Sequence, residues 1–487
     1  MKKSSGILLT ALGAALPLGT ACAVRAAAIK KNLSGAPPAI RWTPADEAAC
    51  AERLSKMVQI PTVSRKQEED YPEFGRFQAL LKELFPKTFA AAEDHEVDGN
   101  ILLRIPGTDP QRGALLLMGH QDVVPADQEG WTDDPFSGII RDGKVWGRGA
   151  MDCKSTLCCV FSAVEALLEE GFTFKEDLWI FSARNEENSG GGSDAAADWL
   201  KEQGVRLNVV IDEGGAVIGG VIPGLPAPCA AVGLVEKGFV NLKFTAKGSG
   251  GHASTPPKNS PIARLSKFVT EVEKRKLFSK ELAAPLPQMF AAVAPYLSYP
   301  LRFVLGNLWL FGGLTKNALG LFSDMATAFV STTAAFTMAS GSSAPNVLPD
   351  SAEMICNIRP AVHQTAAECI AILEKTAKKY DIETEVLFSR DPSKTTPTDT
   401  DEYRYLTQCI SACLPDTVPT PYLMTGGTDS RRFEVVCDNI FRFTPTRLTP
   451  EQLAAMHAAN ENIDIAAVAE GVEFFKYYLK GYNGSKK

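Results

Sequence analysis

Four short stretches carry residues able to do acid–base or metal chemistry, three of them directly after an apolar run. Leu115, Leu116, Leu117 and Met118 lead into Gly119-His120-Gln121-Asp122, an imidazole and a carboxylate two positions apart. Phe181-Ser182-Ala183-Arg184-Asn185-Glu186-Glu187 ends in adjacent carboxylates ahead of Gly190-Gly191-Gly192. Val209-Val210-Ile211-Asp212-Glu213-Gly214-Gly215 repeats that arrangement. In Trp146-Gly147-Arg148-Gly149-Ala150-Met151-Asp152 an Asp stands just ahead of a helical pattern, where an N-cap is the bland alternative. His457 is expected in a helix opening at Thr449-Pro450-Glu451. The chain has only five histidines, His95, His120, His252, His363 and His457, so imidazole ligands are scarce. Carboxylates with two imidazoles suit zinc, with cobalt or manganese as substitutes. Two ions close together need a bridging carboxylate, and a further carboxylate to act as base on an activated water.

The elements that must hold these residues are legible as periodicity. Apolar runs at 114–118, 178–182 and 209–211 read as strands without alternation, which indicates a sheet covered on both faces. Between them Leu157, Val160, Phe161, Val164, Leu167 and Leu168 follow helical spacing, with Gly171 as C-cap. The fold class is therefore α/β with a mostly buried central sheet. Polar groups at the strands' C-terminal ends lie where such sheets bind ligands. Thr43-Pro44-Ala45-Asp46 is a helix start, and the folded part is expected from residue 41. After Gly233 the pattern changes. Val240, Leu242, Phe244 and Ala246 alternate with polar residues, a helix opens at Ser260-Pro261, and strand, helix and strand follow at 353–359, 365–379 and 383–388. We expect a catalytic domain at 41–234, a smaller α+β lid domain at 235–391, and the rest of the catalytic domain at 392–487.

The chain of 487 residues carries a net charge of −7 and no basic tract, which argues against nucleic acid as a partner. Its 11 cysteines show no CxxC pair and read as free thiols, Cys153 among them as a packing residue. Residues 1–40 read as a signal peptide or signal anchor with a linker. Lys2 and Lys3 precede an apolar run at 7–24, followed by Arg25, Lys30 and Lys31. That predicts a membrane-anchored or exported protein with membrane contact through the N-terminus. A cytoplasmic protein with an apolar first helix is the alternative. A second apolar stretch, 289–339, has only Arg302, Lys316 and Asp324 as charges, and its uncharged run is too short to span a bilayer. It reads as a buried helical insert or dimer interface, or else as an apolar surface that meets lipid or a long acyl chain.

The strings GHQDVVP, WGRGAMDCKS, ARNEENSGG, IDEGG, GGHAS, NIRP and TGGTDSRRF resemble, in order over about residues 42–483, the dizinc metallopeptidases. That family includes aminoacylase, acetylornithine deacetylase, succinyl-diaminopimelate desuccinylase and carboxypeptidase S. The resemblance is nearest to the carboxypeptidase S (Gly-X carboxypeptidase) and N-acyl-amino-acid hydrolase branch. It implies two Zn²⁺ per chain. His120, Asp152, Glu187, Asp212 and His457 would be the ligands, Asp152 bridging, and Asp212 would sit on the zinc of His120. Asp122 would orient His120, and Glu186 would be the general base. His252 matches a lid histidine that stabilises the oxyanion, sometimes across a dimer. Arg359 matches an arginine that grips a substrate carboxylate. Asn346 and Gly427 match residues near the substrate. The implied activity is cleavage of an amide in small peptides or N-acyl amino acids, with a homodimer formed through the lid. Alternatives are an aminopeptidase, dipeptidase or deacetylase of the same family, or a non-catalytic scaffold.

Overall fold

The computed structural model describes residues 18–65, 72–109, 111–127, 129–321 and 323–482. Its centre is a ten-stranded mixed sheet. The strands Ala114–Met118, Leu178–Ser182 and Leu207–Asp212 run parallel at its middle, with Ile440–Arg442 parallel beyond them. Leu115, Leu117 and Ile180 face one hydrophobic core, under the helices Pro44–Val58, Lys154–Glu169 and Ile465–Gly481. Leu116, Met118, Trp179 and Phe181 face the other, under Gly192–Glu202. Both faces are covered, so the strands need no polar alternation, and the expected strand bounds agree closely with those observed.

Helix starts follow their side chains. Thr43 accepts the Asp46 N–H, and Asp46 Oδ2 takes the Thr43 N–H at 2.7 Å, a capping box. Those hydrogen bonds hold the Asp46 carboxyl below its usual range.

The chain leaves the large sheet after Cys229–Glu236 and builds a separate antiparallel sheet in the order Thr333–Ser340, Ser351–Arg359, Phe239–Lys247, Glu383–Arg390. Helices Pro261–Lys274 and Ala366–Ala377 cover one face, where Val240, Leu242, Phe244 and Ala246 are buried. It then rejoins the large sheet at Val418–Met424, parallel to Cys229–Glu236.

Three expectations need correction. The stretch 289–339 is not one insert: Thr333–Ser340 is an edge strand of the lid sheet, its small residues laid along Ser351–Arg359. The remainder is helical and sits on the edge of the large sheet, where Leu286, Met289, Phe290 and Val330 meet Val235 and Leu423. His457 is not in the helix opened by Thr449, because Pro450–Ala455 ends before it, and His457 takes a left-handed φ of 58° in the following loop. His95, which matches none of the family motifs and is therefore expected at the surface, packs instead between Trp179 and Trp199, at ring distances of 5.5 and 4.9 Å.

Part of the apolar N-terminal run, residues 7–17, lies outside the described residues. Residues 18–28 are helical, and no helix among the described residues is long and apolar enough to cross a membrane.

Candidate metal centre

The C-terminal ends of the parallel strands bring the chemistry together. Beyond Ala114–Met118, His120 Nδ1 lies 2.8 Å from the Asp122 carbonyl oxygen. That oxygen can only accept, so Nδ1 carries a proton and Nε2 is turned toward the site. His120 Nε2 is 3.1 Å from Asp152 Oδ1, and His457 Nε2 is 2.9 Å from Asp152 Oδ2. One carboxylate thus spans both imidazoles. Glu187 Oε2 reaches His457 Nε2 at 3.3 Å, while Glu187 Oε1 is buried with no hydrogen-bond partner among the described residues. A buried carboxylate oxygen without a donor is rare unless a cation takes it.

Two sets of ligand atoms, each within 4.8 Å, share Asp152: His120 with Cys153, and Glu187 with His457. Cys153 does not serve as a thiolate. Its sulfur accepts the His120 N–H at 3.0 Å, and burial pushes the thiol well up.

Asp122 does more than orient His120. Its two oxygens accept the N–H groups of Glu186 and Glu187, each at 3.1 Å, and Ser64 Oγ donates to it at 2.6 Å. It therefore ties the turn that carries Glu186 and Glu187 to His120. Burial drives the Glu186 carboxyl well above its usual range, and the charges of Asp429, Glu213 and Glu187 add to this. Burial also lifts Asp152, but hydrogen bonds from His120 and His457 prevail and hold it ionised.

Asp212 is placed differently from its neighbours. Its Oδ2 accepts the Ser430 N–H at 3.0 Å. Burial raises its carboxyl, and it raises that of Glu213, given no role in the sequence analysis, well above normal, with Asp152, Asp212 and Glu187 adding to this. Two further residues escaped the sequence reading. Asp429 accepts Ser193 Oγ at 2.6 Å and is pushed up to about 7 by burial. Glu461, fully buried, takes Arg148 Nη1 at 2.7 Å and the N–H groups of Gly149, Met151 and Asp152. It shapes the turn that presents Asp152. In the same turn Gly149 has φ 82°, and a Cβ there would lie 2.5 Å from Val123 Cγ1. A glycine at Gly149 is readable from sequence as a turn, but its partner Glu461 carries no local signal.

This arrangement of strand-end ligands around a shared carboxylate agrees with a family model, described as peptidase family M20/M25/M40, that matches residues 116–481. The chain belongs to this family. It is a hydrolase of the metallopeptidase and amidohydrolase type. It is similar to the N-fatty-acyl-amino acid synthase/hydrolase PM20D1 of Bos taurus, 33% identical over 99% of this chain and 97% of that one. It is 27% identical to carboxypeptidase S of Saccharomyces cerevisiae, over 90% of this chain and 85% of the other. Among solved structures the M20 family metallo-carboxypeptidase Sso-CP2 from Sulfolobus solfataricus superposes with a TM-score of 0.64 at 18% identity, covering 88% of this chain and 99% of that one.

The lid residues do not join the metal cluster within one chain. His252 and Val347 pair in an exposed two-stranded ribbon, and Asn346 accepts the Ala253 N–H through its backbone oxygen at 3.0 Å. His252 Nδ1 lies 2.8 Å from Ser254 Oγ. Arg359 ends its strand with the guanidinium 4.4 Å from the Phe239 ring centre and Nε on Asn357 Oδ1. No carboxylate is paired with it among the described residues, and burial lowers its pKa. Gly427 lies in the exposed loop after Val418–Met424, where a Cβ would stand 3.2 Å from Glu236 Oε2.

Asp152→Ala removes the one group shared by both ligand sets. Elemental analysis of this variant should show loss of metal from both positions, whereas two full equivalents would contradict a bridging role.

Proposed function

We propose that this protein is a two-zinc amidohydrolase that releases an amino acid with a free carboxylate from N-acyl amino acids or small peptides. N-fatty-acyl amino acids are the favoured substrates. The observation that carries the reading is the Asp152 carboxylate set between His120 and His457, with desolvated Glu186 beside it. The unpaired Glu187 Oε1 and the N/O donor set fit two divalent ions. His120 and Asp152, closed by the Asp212–Glu213 pair, would hold one; Asp152, Glu187 and His457 would hold the other. When bound, such ions acidify water and polarise an amide carbonyl.

The chain's own residues supply the rest. Glu186 takes the proton of the attacking water and hands it to the leaving amine nitrogen. Asp122 keeps Glu186 and His120 in register. Arg359, with no carboxylate of its own and a flat ring beneath it, grips the carboxylate of the substrate. The exposed His252 and Asn346 ribbon is suited to donate to the oxyanion in the cleft of a second copy, joined through the lid. The fatty-acyl preference rests on similarity to the Bos taurus protein over nearly the whole of both chains.

Arg359→Ala should weaken activity on free acids by about 2–5 kcal/mol, the scale for a truncated buried charge pair, and affect the matching carboxamides far less. Equal loss on both would make Arg359 a lid support. On the wild-type enzyme, kcat/KM should rise with acyl length by up to about 0.8 kcal/mol per buried methylene. A flat series would overturn the fatty-acyl preference while leaving amide hydrolysis standing.

A further inference from the structure

The N-terminal helix and the helices of the insert form one continuous face. Cys22 and Ala26 of the N-terminal helix are buried; Asn307 Nδ2 donates to the Cys22 carbonyl at 3.2 Å, and the Lys31 N–H donates to Pro295 O at 3.0 Å. Ile29 Cδ1 comes so close to Gly306 that a Cβ there would lie 2.7 Å from it. The Arg25 to Lys31 segment is thereby fixed beside Tyr299–Leu305 and Leu308–Ala318. A groove of about 610 Å³ separates them, with Arg25, Lys30 and Lys31 on one wall and Pro287, Leu308 and Trp309 on the other.

This face is apolar toward solvent. Trp309 is 60% exposed, Leu314 66% and Leu321 86%. Eight of the 19 large exposed hydrophobics among the described residues fall within 18–24 and 299–321, so the exposure is concentrated rather than scattered. The segments that build it carry basic charge alone: residues 18–45 and 282–323 contain no Asp or Glu, and Arg25, Lys30, Lys31 and Lys316 line the face, in a chain whose net charge is −7. Another copy of this acidic chain, or an apolar pocket of a soluble partner, would satisfy only half of that pattern. A bilayer with anionic headgroups satisfies both halves, with basic groups at headgroup level and aromatic and aliphatic side chains below them.

We propose that this face docks on the surface of an anionic lipid bilayer, with Trp309, Leu310 and Leu314 entering the acyl region and Arg25, Lys30 and Lys31 at the phosphates. The helices are of 7 and 11 residues, so they lie in the interface and do not cross it. The docked face is tied to the edge of the large sheet. Leu286–Val293 packs on Val418–Met424, the strand that leads into the Gly427 loop, and Lys237 Nζ ties the Ala328 and Ser331 carbonyls to the same edge.

The test uses the full chain and vesicles of phosphatidylcholine with or without phosphatidylglycerol. Brominated acyl chains should quench tryptophan fluorescence in anionic vesicles, and Trp309→Phe should abolish that quenching although five other tryptophans remain. Leu310→Ser with Leu314→Ser should lower vesicle partitioning at least tenfold. Lys30→Gln with Lys31→Gln should lower it about fivefold per charge, an effect that fades at high salt. Hydrolysis of a soluble N-acetyl amino acid should stay unchanged in all three. The proposal falls if vesicles bind the protein but quench wild type and Trp309→Phe alike, which would leave contact to the N-terminal run alone. It falls equally if the serine variants shift a dimer to monomer in sedimentation velocity without altering vesicle binding.

Discussion

Glu186→Gln should leave fold and metal content intact while turnover falls by about 10²- to 10⁴-fold, the usual contribution of a positioned general base. The separation of effects follows from the contacts. Asp122 holds this position through the Glu186 backbone N–H, not through the side chain, so the isosteric amide disturbs no hydrogen bond shown for that carboxylate. The residues proposed to hold metal are its neighbours, and Glu187 among them keeps its contact with His457. What the substitution removes is a desolvated proton acceptor beside the Asp152 bridge, raised by burial and by Asp429, Glu213 and Glu187. Single-turnover rates and elemental analysis on one preparation decide the matter. Loss of turnover together with loss of metal would make Glu186 a ligand, and near-normal turnover would make it structural.

The parts of this site that lie on buried strands were readable from sequence, and the physical reason is local. A strand covered on both faces must be apolar, so the first ionisable residue after such a run marks its mouth, and His120, Asp122, Glu186 and Glu187 announce themselves. Asp212 and Glu213 show the limit of that rule. The strand's end is readable, but Asp212 is held by the N–H of Ser430, more than 200 positions away, a contact that nothing local in the sequence announces. His457 was found by type and missed by setting, since Thr449 and Pro450 signal where a helix begins but nothing nearby signals that it ends after one short run. The edge strand Thr333–Ser340 was hidden because it is small, weakly apolar and half-solvated, and only its pairing with Ser351–Arg359 makes it a strand. Glu461 is the extreme case. It stands in Asn460-Glu461-Asn462, which reads as solvated loop, and becomes a core residue only when the chain folds back over 300 positions onto the Asp152 turn.

That fold-back makes Glu461→Ala the substitution with the largest expected effect on stability. The Glu461 carboxylate has no exposure, and all of its acceptor positions point at one turn. Oε2 holds Arg148 Nη1 at 2.7 Å and the Gly149 N–H at 3.1 Å, and Oε1 holds the N–H groups of Met151 at 2.9 Å and Asp152 at 3.0 Å. Burial pushes this carboxyl up, as does the charge of Asp152, while Arg148 and the amide hydrogens oppose them. The arrangement is therefore expensive in desolvation and sustained by its geometry. Removing one partner of a buried ion pair costs about 3–5 kcal/mol, because the other charge stays buried. Arg148 is 1% exposed, with its guanidinium 5.4 Å from the ring centre of Trp131. Each stranded amide adds to the loss, against a total stability of about 5–15 kcal/mol for an ordinary domain. Glu461→Ala should accordingly melt far below wild type and lose metal, since the turn no longer presents Asp152 to both histidines. Glu461→Gln should fold, because one carbonyl oxygen still takes two of the four donors, but its amide group must face an amide N–H or the guanidinium. It should sit between the two in melting temperature and in metal retained after dialysis. Calorimetry and elemental analysis on the three proteins test this, and an alanine variant with wild-type melting and two metals would show that the Asp152 turn holds its shape without Glu461.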